Sequence, residues 1–263
     1  MSTQYQHIRV YSEADWVHVE LDRPAVRNAI NAEMIFELQS IFEEIQSKKT
    51  ARGVCMTGHG PHFCSGADLN WMKSSLRLSE EENKKDADML YTLFHQIETC
   101  FCPVIAGVHG VVPGGAVGLV AACDYVIALN ETRFSLSEVR LGIIPAIIAP
   151  FLLKKINMSW LRALFLTAKP FLADRACQIG LVHEVVETRS DMRHALSRLK
   201  SDILAASPQA IITAKRFLTE LVAMPASQRK AAAVETLATI RVSKEGQEGI
   251  SAFLEKRLPN WRQ

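Results

Sequence analysis

Three short runs carry the residues that can do chemistry. The first, Gly110-Val111-Val112-Pro113-Gly114-Gly115-Ala116-Val117-Gly118, follows the apolar stretch Pro103 to Val108 and opens into Leu119 to Asp124. It reads as a buried strand, a glycine turn and a helix whose first amides point at whatever lies before them. Such amides hold either a phosphate or an oxygen on which negative charge develops. No GxGxxG follows the first strand and GxxxxGK[ST] occurs nowhere, so a nucleotide phosphate is the weaker reading. A second run, Gly58 to Leu69, also leaves a short apolar strand, Gly53 to Thr57. Two such turns can each offer one backbone amide to the same oxygen. The third run, Phe134 to Pro145, sets the single carboxylate Glu138 in an apolar, proline-ended segment. An acid there is buried or lines a pocket. The plainer alternatives are packing glycines for the first run and an ion pair with Arg140 or Arg162 for Glu138.

Taken in order, Leu21-Asp22-Arg23-Pro24-Ala25-Val26-Arg27-Asn28-Ala29-Ile30-Asn31, Phe63 to Leu69, Gly114-Gly115 and Ser137-Glu138 resemble the enoyl-CoA hydratase/isomerase, or crotonase, family. The resemblance runs from about Val17 to the closing Glu245 to Arg257. It implies that the amides of Ala67 and Gly115 form an oxyanion hole for the thioester carbonyl of an acyl-CoA. It also implies that Glu138 is one of two catalytic glutamates, and Gly118 stands where the other would be. One carboxylate at the Glu138 position matches the family's double-bond isomerases. The longer segment Ser137 to Pro150 is similar instead to bacterial hydratases of branched or carboxylated enoyl-CoAs, such as 3-methylglutaconyl-CoA. Hydration is therefore the first expectation and 3,2-enoyl-CoA isomerisation the second; Gly118 reads plainly as a helix-packing glycine, and the expectation carried forward is that it enlarges the acyl pocket.

The resemblance extends to CoA. Ala25, Arg27, Ser65, Ala67, Asp68 and Leu69 match positions near the nucleotide and pantetheine arm, and Gly114 of the glycine turn is counted with them as CoA-binding. Phe253 and Lys256 match C-terminal residues that approach the adenine from a neighbouring helix. Lysines common at the places of Ala25 and Pro61 are missing, which throws more weight on Arg27. CoA is part of the substrate, so no separate cofactor and no metal is expected. Cys100-Phe101-Cys102 is too isolated to argue for a metal, and His59 with His62 reads as loop decoration.

The elements that must position these groups follow from periodicity. A hairpin is expected from Ile8 to Tyr11 and Trp16 to Leu21, then a helix capped by Asn31 and running through Gln46. Strand, loop and helix alternate as far as Leu129, which implies an α/β core with much parallel pairing. The resemblance specifies a spiral of ββα units of the ClpP/crotonase kind over residues 1–200 and a helical region over 201–263 that trimerises, often into hexamers. Helical patterns over 158–167, 174–179, 189–206, 208–222, 227–242 and 245–256 fit that ending.

Composition sets limits on function. The 263 residues are 48% apolar and 22% charged, with a formal net charge of +2, enough for a large core and too balanced for nucleic acid as a main partner. The helix from Glu33 to Lys49 is diluted by Glu37, Glu43 and Glu44, so a non-catalytic RNA or acyl-CoA binder ranks well below an enzyme. No run of 18 apolar residues occurs and residues 1–9 are too polar for a leader, so a soluble cytoplasmic protein with no membrane partner is expected. Six cysteines without CxxC spacing read as reduced, mostly buried thiols.

Overall fold

A computed structural model describes residues 5–262; the reading of residues 1–9 lies partly outside them. Strands β1 (Ile8–Glu13) and β2 (Trp16–Leu21) form the expected antiparallel hairpin. Helix α1 (Ala32–Lys48) follows, and the Asn31 side chain caps it by accepting from the Met34 amide. Its buried residues Met34, Ile35, Leu38, Ile41, Phe42 and Ile45 recur at helical spacing. Each such side chain contributes about 1.5 to 3 kcal/mol on burial, which fixes the face α1 turns inward.

Next come β3 (Gly53–Gly58), α2 (Leu69–Ser75), α3 (Glu80–Glu98), β4 (Val104–Val108), β5 (Val111–Pro113), α4 (Gly115–Ala122), β6 (Tyr125–Leu129) and β7 (Arg133–Ser135). Then follow α5 (Ala149–Leu152), α6 (Met158–Thr167), β8 (Phe171–Leu172), α7 (Ala173–Gln178), β9 (Glu184–Val186) and α8 (Arg189–Ala205). The larger sheet is ordered β1-β2-β3-β4-β6-β9 and is parallel from β2 onward. The smaller sheet is β5-β7-β8. Successive parallel strands need a crossover; those from β2 to β3 and from β3 to β4 run through helices alone, whereas those from β4 to β6 and from β6 to β9 pass through strands of the small sheet. The order β4-β5-α4 followed by β6-β7 is the expected spiral.

Parallel strands covered on both faces read as unbroken apolar runs. Accordingly every residue of β4 is buried, and in α4 every residue from Ala116 to Ala122 is buried. Helix α8 covers the opposite face of the sheet through Met192, Ala195 and Leu196, packed with Trp16, Cys55, Ile105 and Ile127.

Helices α9 (Pro208–Ala223), α10 (Ala226–Arg241) and α11 (Lys244–Leu254) close the chain as the spacing predicts. The division expected at 200/201 falls inside α8; packing changes instead at Ala206–Ser207, where the chain turns from a helix docked on the sheet to one with no buried residue. Neither α9 nor α10 has a buried residue, and in α11 Ala252 alone is buried. Leu218, Val222, Val234, Leu237, Phe253 and Leu254 stand exposed. Within the single chain these helices thus leave large apolar side chains uncovered.

Candidate active site

Two loops meet above the strand ends, and hydrogen bonding explains which amides they leave free. Ile30 and Ala67 form an isolated parallel bridge in which the Ile30 amide donates to Gly66 O at 2.7 Å and the Asp68 amide donates to Ile30 O at 2.8 Å. A parallel bridge of this kind spends the groups on either side of Ala67, so the Ala67 N–H points the other way. Among the described residues it has no acceptor. In the second loop Gly115 is the first residue of α4, where an amide has no partner within its helix. Gly66, at φ +83°, brings the loops together: a Cβ there would lie 2.9 Å from the carbonyl oxygen of Pro113. Only glycine permits both that conformation and that approach.

The same loop sits beside the carboxylate through strand register. Strands β5 and β7 pair Pro113 with Ser135, and the Gly114 amide donates to Ser135 O at 2.9 Å. The chain then bends into a 3-10 turn, Glu138–Leu141, whose first side chain returns toward Gly114. A Cβ on Gly114 would lie 3.2 Å from Glu138 Oε1. Glu138 Oε2 is buried without a hydrogen-bond partner, and among the described residues Glu138 makes no ion pair. Neither Arg140 nor Arg162 answers it. Burial pushes the Glu138 carboxyl above its ordinary value, opposed weakly by its own backbone amide. An unpartnered carboxylate with a raised pKa, beside two free amides, suits proton transfer at an enolate.

Gly118 proves to be a packing glycine, which corrects the expectation of an enlarged pocket. A Cβ there would lie 2.5 Å from Phe94 Cε2 and 2.6 Å from Ile148 Cγ2, both side chains being buried. The room a second glutamate would need is filled by an aromatic ring of α3 and an isoleucine ahead of α5. Gly118→Glu therefore overpacks the core and strands a carboxylate in it, with an expected loss of about 1 to 3 kcal/mol from packing alone. The check is a chemical unfolding curve; Phe94→Ala in the same chain recovers part of the loss.

Asp68 departs from its expected role at CoA. Its carboxylate is turned inward, where Arg23 Nη1 donates at 3.0 Å and the Asn70 amide at 2.8 Å. Burial would raise this carboxyl, but the Asn70 amide, the Arg23 guanidinium and the Trp71 amide together hold it below its ordinary value. Arg23 also donates to the Ala29 carbonyl, so one guanidinium ties both sides of the Ile30–Ala67 bridge. Asn28, at φ +57°, accepts from the Arg23 amide at 2.7 Å and donates to the carbonyls of His59 and His62. Arg23, Asn28, Gly66 and Phe94 were legible as residues but not as parts; only a charge beside a proline at 23 hinted at the first. Arg23→Ala leaves Asp68 buried and unpaired and is expected to cost about 2 kcal/mol, read from thermal or urea unfolding.

The remaining expected residues divide. Ala25, Arg27 and Leu69 are exposed on the same loop cluster as Ala67, and Ser65 is half-buried with its amide on Arg27 O. Phe253, 82% exposed, and Lys256 lie on the C-terminal helical layer and meet nothing of this site within the chain. His59 pairs with Asp22 and His62 accepts from the Val111 amide. Among the described residues no cluster of three metal-ligating side chains occurs, and no helix is long and apolar enough to cross a membrane.

Residues 12–263 match the family model described as enoyl-CoA hydratase/isomerase. The 2,3-dehydroadipyl-CoA hydratase of Escherichia coli K12 is 31% identical over 246 residues, covering 92% of this chain and 93% of that protein. The mitochondrial Delta(3,5)-Delta(2,4)-dienoyl-CoA isomerase of Mus musculus is 35% identical over 218 residues, covering 79% of this chain and 67% of that one. Among solved structures, an enoyl-CoA hydratase from Shewanella pealeana superposes with a TM-score of 0.93 at 32% identity, covering 98% of this chain and 97% of its own.

Proposed function

Since the chain belongs to the enoyl-CoA hydratase/isomerase family, we propose that it adds water across the 2,3-double bond of an enoyl-CoA, with Glu138 as its acid–base group. The observation that carries this reading is the buried, unpartnered oxygen of Glu138 beside the free amides of Ala67 and Gly115. The two amides receive the thioester oxygen and make the β-carbon electrophilic. Glu138, as carboxylate, takes a proton from water while the water oxygen bonds to the β-carbon and the electron pair moves to the thioester oxygen. The Glu138 carboxylic acid then returns a proton to the α-carbon as the enolate collapses, which restores the carboxylate. One group thus serves as base and then acid.

A branched or carboxylated acyl group is the proposed substrate, supported by the Ser137 to Pro150 pattern and by the acyl group named for the E. coli relative. The exposed loop residues Ala25, Arg27 and Leu69, with half-buried Ser65, are proposed to line the CoA arm. Phe253 and Lys256, remote from their own site, are proposed to meet CoA bound to a neighbouring copy in a homotrimer or hexamer. A cytoplasmic location belongs to the same proposal.

One observation favours a second reading. With Gly118 packed under Phe94 and Ile148, that position supplies no second acid, and a 1,3-proton shift from the α- to the γ-carbon of a 3-enoyl-CoA needs one carboxylate alone. Turnover of crotonyl-CoA, 3-methylglutaconyl-CoA and a 3-enoyl-CoA decides between them. Loss of conjugated enoyl absorbance from either of the first two supports hydration; gain of absorbance from the third alone overturns it in favour of isomerisation.

A further inference from the structure

The thiols of Cys100 and Cys102 face each other across 3.7 Å in the bend between α3 and β4, away from the oxyanion loops. Both are buried. Cys100 lines one side of a cavity of about 350 Å³ that also holds Thr99, Lys215 and Thr219, and Cys102 lines a smaller one of about 90 Å³ on the far side of Phe101. Lys215 of α9 anchors the bend: its Nζ donates to the Cys102 carbonyl at 3.0 Å and to Asp124 Oδ2 at 2.6 Å. A hydrogen bond between two thiols at this separation already aligns the sulfurs, and bonding requires them to close to about 2.05 Å. The other cysteines have no such partner: Cys123 donates to the Leu119 carbonyl, and among the described residues Cys55, Cys64 and Cys177 stand apart.

We propose that Cys100 and Cys102 form an oxidant-reactive dithiol site, converted by hydroperoxides into an intrachain disulfide. Cys100 is the attacking sulfur. The hydrogen bond from Cys102 holds its thiol below the ordinary cysteine range, against burial, while Cys102 is held well above it. Cys55, Cys64 and Cys123 are pushed up by burial to about 12 and are inert by comparison. The Cys100 thiolate attacks one peroxide oxygen, the O–O bond breaks and hydroxide leaves, taking up the proton the thiol released to become water and giving a sulfenic acid. Cys102 then attacks that sulfur, forming the S–S bond and expelling a second water. Two thiols lose two protons and two electrons, and hydrogen peroxide takes them up as it becomes two waters. A thiol reductant reverses the change.

The experiment treats the folded full chain with graded hydrogen peroxide, blocks free thiols, and cleaves the denatured protein after Phe101. That cut separates the two cysteines, so a disulfide keeps the two fragments joined until reductant is added. The expected result is joined fragments, lighter by two hydrogens, in most chains at a dose that leaves Cys55, Cys64 and Cys123 free. Half-exposed Cys177 reports the reactivity of a thiol without a partner. Cys102→Ser, which keeps a hydrogen-bond donor beside Cys100 but no second sulfur, is expected to halt at the Cys100 sulfenic acid, captured by a 1,3-diketone. Oxidation of Cys177 with Cys100 and Cys102 still free overturns the proposal, as does a disulfide between chains or passage of either sulfur to sulfinic acid without joining. Failure of the variant to fold leaves the unmodified chain's fragment test decisive.

Discussion

Glu138→Gln is expected to lower kcat by about 10²- to 10⁴-fold while leaving acyl-CoA binding nearly intact, because general acid–base catalysis contributes on that scale. The amide keeps the shape of the side chain beside Gly114, whose Cβ position lies 3.2 Å from Oε1, so a loss of this size reports the proton and not the packing. Stopped assays with equal acyl-CoA affinity for both proteins make the comparison. The pH dependence has a definite sign. Burial raises the folded carboxyl above its unfolded value, and hydration begins from the carboxylate. The activity therefore falls as pH drops through that raised value, placing the acidic limb above the ordinary glutamate value of about 4.3. Stability runs the other way. A carboxyl with a raised pKa binds its proton more tightly when folded, so its stabilising effect is complete below the unfolded value and is lost as pH climbs through the folded one. The glutamine variant carries no such charge, so its melting temperature should gain on that of the unmodified chain as pH rises through the same window.

How much of this was legible in the sequence depends on whether a feature is local. The cap at Asn31, the face of α1 and the bounds of α6 over Met158–Thr167 follow from periodicity and side-chain chemistry over a few residues, and they stand where expected. The Gly114-Gly115 turn and Glu138 were visible as residue types. Their meeting was not, because it depends on the pairing of Pro113 with Ser135, a register set by distant strands. Gly118 misled for the same reason. Alone it reads as packing or as space, and which of the two holds is decided by Phe94, 24 positions earlier, and Ile148, 30 later. Asp68 sits in a run that suggests ligand contact, yet its carboxylate is consumed by Arg23, 45 residues away. Such pairings carry no local pattern. The C-terminal helices teach the converse: their amphipathic spacing was readable, and it describes faces that the single chain leaves uncovered.

The oxyanion hole needs a different kind of test, since its donors are backbone amides that no ordinary side-chain change removes. Gly115→Pro deletes one of them. Gly115 opens α4, and the first helical position tolerates proline because its amide has no helical acceptor and its φ is already suitable. A Cβ at Gly115 would meet Ile30 Cδ1 and Leu90 Cδ2 at 3.9 Å, ordinary contact distances. The helix is therefore expected to form with its site short of one donor. Loss of a single such donor costs about 2.7 to 4 kcal/mol of transition-state stabilisation, or roughly 10²- to 10³-fold in kcat. Gly115→Ala is the matched control, which keeps the N–H and adds the Cβ. If the two amides act as read here, the alanine chain retains most of its activity and the proline chain loses it, with both unfolding at similar denaturant concentrations. Equal activity in the two chains would mean that the thioester oxygen is held elsewhere, and the roles of Ala67 and Gly115 would fall together, because one oxygen requires both loops.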